Sequence, residues 1–221
     1  MIAVKELTVD YPSSDGVPMA ESDVHRKRMV DLIETLDDHF ITDVNVYVSG
    51  NLLVYYVPGN RYRHLAPDVF FVRGVRKRDR DNYLIWEEGV PPQMVIELTS
   101  KSTQGEDVDD KFDLYQNILK VQEYFLFDPR AEYLEPPFQG HRLIKGHYEP
   151  IKPIADRLPS EVTGLHLERR GSELRLFDPK TGLILPTRKE RNAALEVERD
   201  RERVARDRER AARLQAEQAQ H

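Results

Sequence analysis

Two acidic side chains stand inside apolar runs of this 221-residue chain. Glu97 interrupts Met94-Val95-Ile96-Glu97-Leu98, and Asp68 opens Val69-Phe70-Phe71-Val72. Runs of this kind read as strands buried on both faces, where a carboxylate is costly unless a positive or hydrogen-bonding group compensates it. A third charge is equally out of place. With residues 108–119 set at about 100° per position around a helix axis, Leu114, Ile118, Tyr115, Val108, Leu119 and Phe112 share one arc. Lys111 falls near the middle of that arc, while Asp109, Asp110 and Asp113 point away. A lysine there must snorkel to an edge or meet an anion. Taken alone, it pairs most simply with Asp107, one turn earlier on the same helix.

Asp68, Glu97 and Lys111 together point to a different chemistry. Two acids at neighbouring strand ends can hold a hard cation such as Mg²⁺, with a backbone carbonyl and waters completing an octahedron. The cation activates water and neutralises charge on a phosphate, and a nearby ammonium orients that water or stabilises the transition state. Phosphodiester hydrolysis suits such a set. The seven histidines show no metal-ligand spacing, and neither a phosphate-cradling Gly-rich loop nor a Gly-x-Ser-x-Gly elbow is present.

The elements that must position these residues follow from periodicity. Val24–Phe40 predicts a helix, with Met29, Leu32, Ile33, Leu36 and Phe40 at helical spacing; its His25 and Glu34 are within reach of a site but read better as surface or cap residues. Val44–Val48 and Leu52–Tyr56, joined by Ser49-Gly50-Asn51, predict a β-hairpin. Pro67-Asp68 opens the next strand, and a long polar excursion over 73–92 carries the sole tryptophan, Trp86. Thr103-Gln104-Gly105-Glu106 is a capping box that starts a helix running to about Leu119. Val121–Phe127 is the following strand, and 131–177 reads as a β-rich appendage. A second capping box, Thr187 to Glu190, opens a charged helix over 188–221, whose Val197, Val204 and Ala211 fall seven apart and give a weak coiled-coil signal. The domain division is therefore 1–187 and a 188–221 tail that offers a surface for a homodimer or a protein partner.

Composition bounds the rest. The chain has no cysteine, 39 % hydrophobic and 33 % charged residues, and net charge −6. From Arg188 onward there are 10 Lys/Arg against 8 Asp/Glu, which leaves 23 against 31 before it, a body of net charge −8. Such a body is no general nucleic-acid coat. Local basic clusters remain: Arg61 and Arg63 precede the Asp68 strand, and Arg73, Arg76, Lys77, Arg78 and Arg80 follow it, and the first six of these are the candidate nucleic-acid contacts. Neither a signal-peptide pattern nor a membrane-length apolar run is present, so a cytoplasmic protein is expected.

The stretches Ala66–Val72, Val95–Thr103, the spaced Asp107, Lys111 and Tyr115, and Glu123–Pro129 resemble the Uma-type endonucleases, a branch of the PD-(D/E)XK nuclease superfamily. The resemblance covers roughly Val24–Asp128. It implies an α/β restriction-endonuclease-like core with a central mixed sheet flanked by helices. It also implies metal-binding acids at Asp68 and Glu97, Mg²⁺ (or Mn²⁺ in its place) as cofactor, and DNA as partner. The superfamily lysine two positions beyond the second acid is absent, because Thr99 stands there. Lys101 has the right chemistry in the following loop, and Lys111 offers the ammonium from the helix. Asp107 and Tyr115 are supporting candidates, and Glu123 is one as well by resemblance, with a buried ion pair to Lys111 or an arginine as its equal alternative.

The expected activity is a Mg²⁺-dependent DNA endonuclease with Asp68, Glu97 and Lys111 as catalytic residues. The alternatives are a non-catalytic nuclease-fold module that binds nucleic acid or protein, and a metal-independent hydrolase such as a glycosidase using the two acids as its pair. Lys111→Met is expected to leave stability intact while suppressing cleavage.

Overall fold

The computed structural model describes residues 9–14, 16, 22–100 and 110–218. Helix α1 (Asp23–His39) starts where the Ser22 hydroxyl accepts the His25 N–H at 3.2 Å, and it buries Met29, Leu32 and Leu36 along one stripe. Strands β1 (Val46–Ser49), β2 (Val54–Tyr55), β3 (His64–Leu65), β4 (Val69–Arg73) and β5 (Tyr83–Leu84) follow, then the short helix α2 (Ile85–Glu88) and β6 (Met94–Leu98). The helical segment that precedes β7 includes α3 (Lys111–Asp113) and a π-helix over Leu114–Leu119. Strands β7 (Glu123–Phe127), β8 (Phe138–Ile144), β9 (His147–Pro150), β10 (Leu158–Pro159), β11 (His166–Arg170), β12 (Glu173–Asp178) and β13 (Leu183–Ile184) precede the terminal helix α4 (Arg188–Gln218).

The centre is a six-stranded mixed sheet in the order β1-β4-β6-β7-β8-β9; of its described pairings β6 with β7 is parallel and the others are antiparallel. Each face of it is covered, so every residue of β6 and of β7 is buried. Side chains of Val69, Phe71, Ile96 and Phe125 meet Met29, Leu32 and Leu36 of α1 on one face, together with Leu167, Leu174 and Leu176 of the sheet β10-β11-β12-β13. On the other, Phe70, Val72, Val95 and Tyr124 meet Tyr115 and Leu119 of the π-helix and Val54, Leu65 and Tyr83 of the sheet β3-β2-β5. The architecture is the expected mixed α/β one, with a central mixed sheet and flanking helices.

Three local expectations are corrected. Val44–Val48 and Leu52–Tyr56 do not form a hairpin: β1 pairs with β4, and β2 pairs with β3 and β5. The turn between them is tied to another segment, since the Asn51 N–H donates to the Pro67 carbonyl at 2.8 Å with Asn51 at φ 50°. Ile118 is 59 % exposed rather than on the apolar arc, because the wider π-turn changes the angle per residue and rotates it out. The 131–177 stretch is divided, with β8 and β9 extending the central sheet and only the later strands building a separate one. The capping box at Thr103–Glu106 lies outside the described residues.

The chain separates into two compact units, Met1–Leu185 and Pro186–His221. The second is the long helix, and its capping box is formed in both directions: the Glu190 N–H donates to the Thr187 hydroxyl at 3.3 Å, and the Thr187 N–H to the Glu190 carboxylate at 2.8 Å. Val197 and Val204, the two valines of its sparse stripe, are 51 % and 45 % exposed. Among the described residues no helix is long and apolar enough to cross a membrane.

Candidate active site

Strand pairing brings the two acids together. In the antiparallel β4–β6 ladder Val69 faces Ile96 and Phe70 faces Val95, and one more step of the same register sets Asp68 opposite Glu97. Alternation along the strands directs both acids to the face that carries Tyr115. The Asp68 N–H donates to Glu97 Oε2 at 3.3 Å, and the Leu98 N–H to Asp68 Oδ2 at 2.7 Å. Each acid is thereby fixed by the backbone of the other's strand.

The main chain under Asp68 is fixed by an absence of side chain. A Cβ on Gly50 would lie 1.9 Å from the Asp68 carbonyl oxygen and 2.7 Å from Ile33 Cδ1. The turn that ends β1 can press against the start of β4 only as glycine.

The helical crossover supplies the compensation that a buried acid needs. Glu97 is 0 % exposed, and its Oε2 lies 3.2 Å from the Lys111 ammonium while its Oε1 accepts the Tyr115 hydroxyl at 2.6 Å. Burial and the adjacent Glu97 carboxylate push the Tyr115 phenol well above its ordinary range, so it stays protonated and donating. Lys111 and Tyr115 are four apart and come to one carboxylate from successive turns. π-turns of this kind recur at functional sites.

Asp68 has a partner in His25, whose place in the sequence favours a surface or cap role. His25 Nε2, in the first turn of α1, lies 3.1 Å from Asp68 Oδ1, and both residues are buried. Facing a carboxylate, that nitrogen carries the proton and donates. A lone histidine 43 positions before its acid has no spacing signature, so only the fold reveals the pair.

Asp68, Glu97, Lys111 and Tyr115 are therefore brought together, and other candidates are not. Glu123 stands at the start of β7, beside Met94 rather than Glu97, and faces the opposite side of the sheet. It is held by Arg142 at 2.9 and 3.0 Å, by the Ser160 hydroxyl at 2.5 Å and by the Glu161 N–H at 2.8 Å, which fully accounts for a buried carboxylate there. Arg73, Arg76, Lys77 and Arg78 leave β4 at its far end, a strand length of roughly 17 Å from Asp68. They do not flank the acids, and Arg73, Lys77 and Arg78 are tied to Asp43, Asp37 and Glu88. Lys101 and Asp107 lie outside the described residues.

Asp128 is a neighbour that the pattern of acids did not single out. It follows β7 at the same end of the sheet as Glu97 and is completely buried. Burial alone would raise its carboxyl, but backbone N–H groups of Arg130, Ala131, Glu132, Tyr133 and Leu134 donate to it and hold it below the usual carboxylate range. Five backbone donors leave it the role of organising the 130–134 turn.

The donor set fits a hard divalent cation in kind, because Asp68 and Glu97 offer the carboxylate oxygens that such a cation takes. Thr99, on the continuation of β6 and on the Glu97 side by alternation, has a buried hydroxyl with no hydrogen-bond partner among the described residues. Among those residues no group of three or more His, Cys, Asp or Glu side chains is disposed to hold a metal, so water or phosphate oxygens would have to complete the shell.

The strand register and the helical crossover thus set two acids at adjacent strand ends of a central mixed sheet, with an ammonium beside Glu97. Residues 6–169 match the family Uma2, described as "Putative restriction endonuclease", and the chain belongs to that family. Membership supports a nuclease. A solved structure described as a "putative nuclease" from Anabaena variabilis ATCC 29413 is similar at 16 % identity, covering 68 % of this chain and 80 % of that chain with a TM-score of 0.48. No curated protein matches.

Proposed function

We propose that the chain is a metal-dependent endonuclease that hydrolyses DNA phosphodiester bonds at Asp68 and Glu97. The observation that carries this reading is the shared anchoring of Glu97: an ammonium and a phenol fix its two oxygens, while Asp68 stands in register beside it. The two carboxylates would hold Mg²⁺, with Mn²⁺ a substitute. When bound, the cation supplies positive charge at the scissile phosphate and makes water more acidic. Lys111, oriented by Glu97, donates hydrogen bonds to the attacking water or to a phosphate oxygen as charge builds there. Tyr115 keeps Glu97 in one rotamer, and His25 does the same for Asp68, so the acids are set before substrate arrives. The ammonium reaches this place from the crossover helix, which accounts for Thr99 standing where the family's superfamily has its lysine. A glycosidase pair fits less well, because a proton-donating acid must reach its substrate and Glu97 is 0 % exposed with both oxygens engaged.

The test is incubation of the purified chain with plasmid and with single-stranded DNA in Mg²⁺, Mn²⁺ or EDTA. Cleavage in the metals, none in EDTA and loss in Glu97→Gln is the expected result. In parallel, millimolar Mn²⁺ should raise the melting temperature of the parent through linkage but not that of Asp68→Asn. Cleavage that persists in EDTA would falsify the reading.

A further inference from the structure

Most cations around β4 are neutralised. Arg73 meets Asp43 at 2.6 Å, Lys77 meets Asp37 at 2.6 Å, and Arg78 and Arg80 share Glu88 at 2.8 Å. Arg61 and Arg63 differ: like Arg76, both are exposed and have no acidic partner among the described residues, and they alone stand on either side of an open aromatic ring. Between them Tyr62 is 82 % exposed, the most open of the large hydrophobic side chains described, with the Arg61 guanidinium 5.9 Å from its ring centroid. On a body of net charge −8 an uncompensated arginine pair around an open ring is a local exception.

The tip that carries them is built, not loose. The Asn60 N–H donates to the Val57 carbonyl at 3.2 Å, the Arg63 N–H to the Asn60 carbonyl at 3.3 Å, and the Tyr62 N–H to Asn60 Oδ1 at 3.0 Å. Its base is tied down by the Gly59 N–H on the Tyr11 hydroxyl at 2.6 Å and by the Tyr55 hydroxyl on the Pro12 carbonyl at 2.7 Å. The ring is therefore presented at low entropic cost on the connection between β2 and β3.

That connection leads straight to the acids. Val54 and Leu65, which flank the tip, pack with Phe70 and Val95 on the sheet face toward which Asp68 and Glu97 are directed. Tyr62 stands six positions before Asp68, a backbone reach of at most about 22 Å, the length of roughly six nucleotides at about 3.4 Å each.

We infer that Arg61-Tyr62-Arg63 is a stacking platform for an unpaired base of single-stranded DNA crossing the acid cluster, the two arginines taking the flanking phosphates. A base inside a stacked duplex keeps its face covered, whereas an unpaired base offers it to an exposed ring, and arginine adds phosphate contact. This names the form of DNA that the site takes, and it rests on reading the acids as a DNA-cleaving site.

The experiment measures affinity of the full chain in EDTA, where metal-dependent cleavage is silent, for fluorescently labelled single-stranded DNA, duplex DNA and single-stranded RNA of one sequence. Tyr62→Ala should weaken single-stranded DNA binding about tenfold and leave duplex binding within about twofold, and Tyr62→Trp should retain it. Arg61→Ala with Arg63→Ala should weaken both DNA forms and flatten the salt slope for the single strand by about 1.4. Melting temperatures should match the parent, since all three side chains are exposed. The platform is overturned if Tyr62→Ala binds single strands like the parent, if both DNA forms lose affinity equally, if RNA is bound more tightly than DNA, or if the parent binds none of them. A selective Tyr62→Ala loss in a chain that never cleaves with Mg²⁺ removes the endonuclease reading and leaves the platform standing. Cleavage without that loss removes the platform alone.

Discussion

Lys111 and Glu97 form a 3.2 Å ion pair across the join of a helix and a strand, the lysine side chain 13 % exposed and the glutamate wholly enclosed. The pair changes what Lys111→Met should do. Against an apolar arc alone, methionine would be a good replacement, as the residue pattern implies. Against Glu97, it strands a buried carboxylate.

Lys111→Met should therefore lower stability in EDTA by roughly 3 kcal/mol, the scale for removing one partner of a buried pair. Part of that loss should return on adding Mn²⁺, which would replace the missing positive charge. Cleavage should fall roughly 10²–10³-fold even under conditions where the variant is fully folded. Urea titrations with and without metal, beside single-turnover cleavage, check all three. A variant as stable as the parent in EDTA would show that Glu97 does not depend on the ammonium.

Gly50→Ala should destabilise by about 3 kcal/mol or more. The new methyl meets a backbone oxygen of Asp68 at 1.9 Å, and backbone cannot swing aside as the Ile33 side chain can. Because the displaced group is Asp68 itself, metal-dependent stabilisation should weaken together with folding. Chemical denaturation and a Mn²⁺ melting series read the two effects.

Asp128→Asn should cost roughly 3 kcal/mol at neutral pH, because a neutral amide cannot take five backbone donors as a carboxylate does. The folded carboxyl is held below its ordinary value, so its contribution is present above the unfolded pKa of about 4 and is lost as pH falls through the folded value. Parent and variant stabilities should therefore converge in acid. Melting curves across the acid range test it, and a gap that stays constant would remove the carboxylate from the account.

Removing residues 188–221 should leave the melting transition of the preceding unit almost unchanged. The helix is a compact unit by itself, and its exposed valines give too thin a stripe for a strong coiled coil. Any self-association it mediates should be weak and should disappear with it in sedimentation experiments.

The acids, the lysine and the tyrosine were legible because each breaks a local rule: charge in an apolar strand, or a cation in an apolar arc. The β4–β6 register then turns two separate exceptions into one site. Other parts were hidden for identifiable reasons. Arg73 is only five positions from Asp68 along the chain, yet β4 carries it to the far end of the sheet. Glu123 shares the strand pattern of Glu97 but sits at the opposite end of a parallel neighbour. His25 reads as the first turn of an amphipathic helix, and nothing local announces that the turn abuts Asp68. The π-turn is hidden in the same way, since residues at regular helical spacing give no sign of where the backbone widens.

The parallel pairing of β6 with β7 has a consequence for how such sites are found by inspection. Parallel neighbours cannot be joined by a tight turn, so the chain must leave the end of β6, travel back over the sheet and re-enter at the start of β7. A side chain needed beside Glu97 thus has two addresses: the last residues of the strand, or the inward stripe of the returning helix. The two differ widely in sequence number and little in space. A search that insists on a lysine two places beyond the acid meets Thr99 and discards the chain, whereas one that follows the return path meets Lys111.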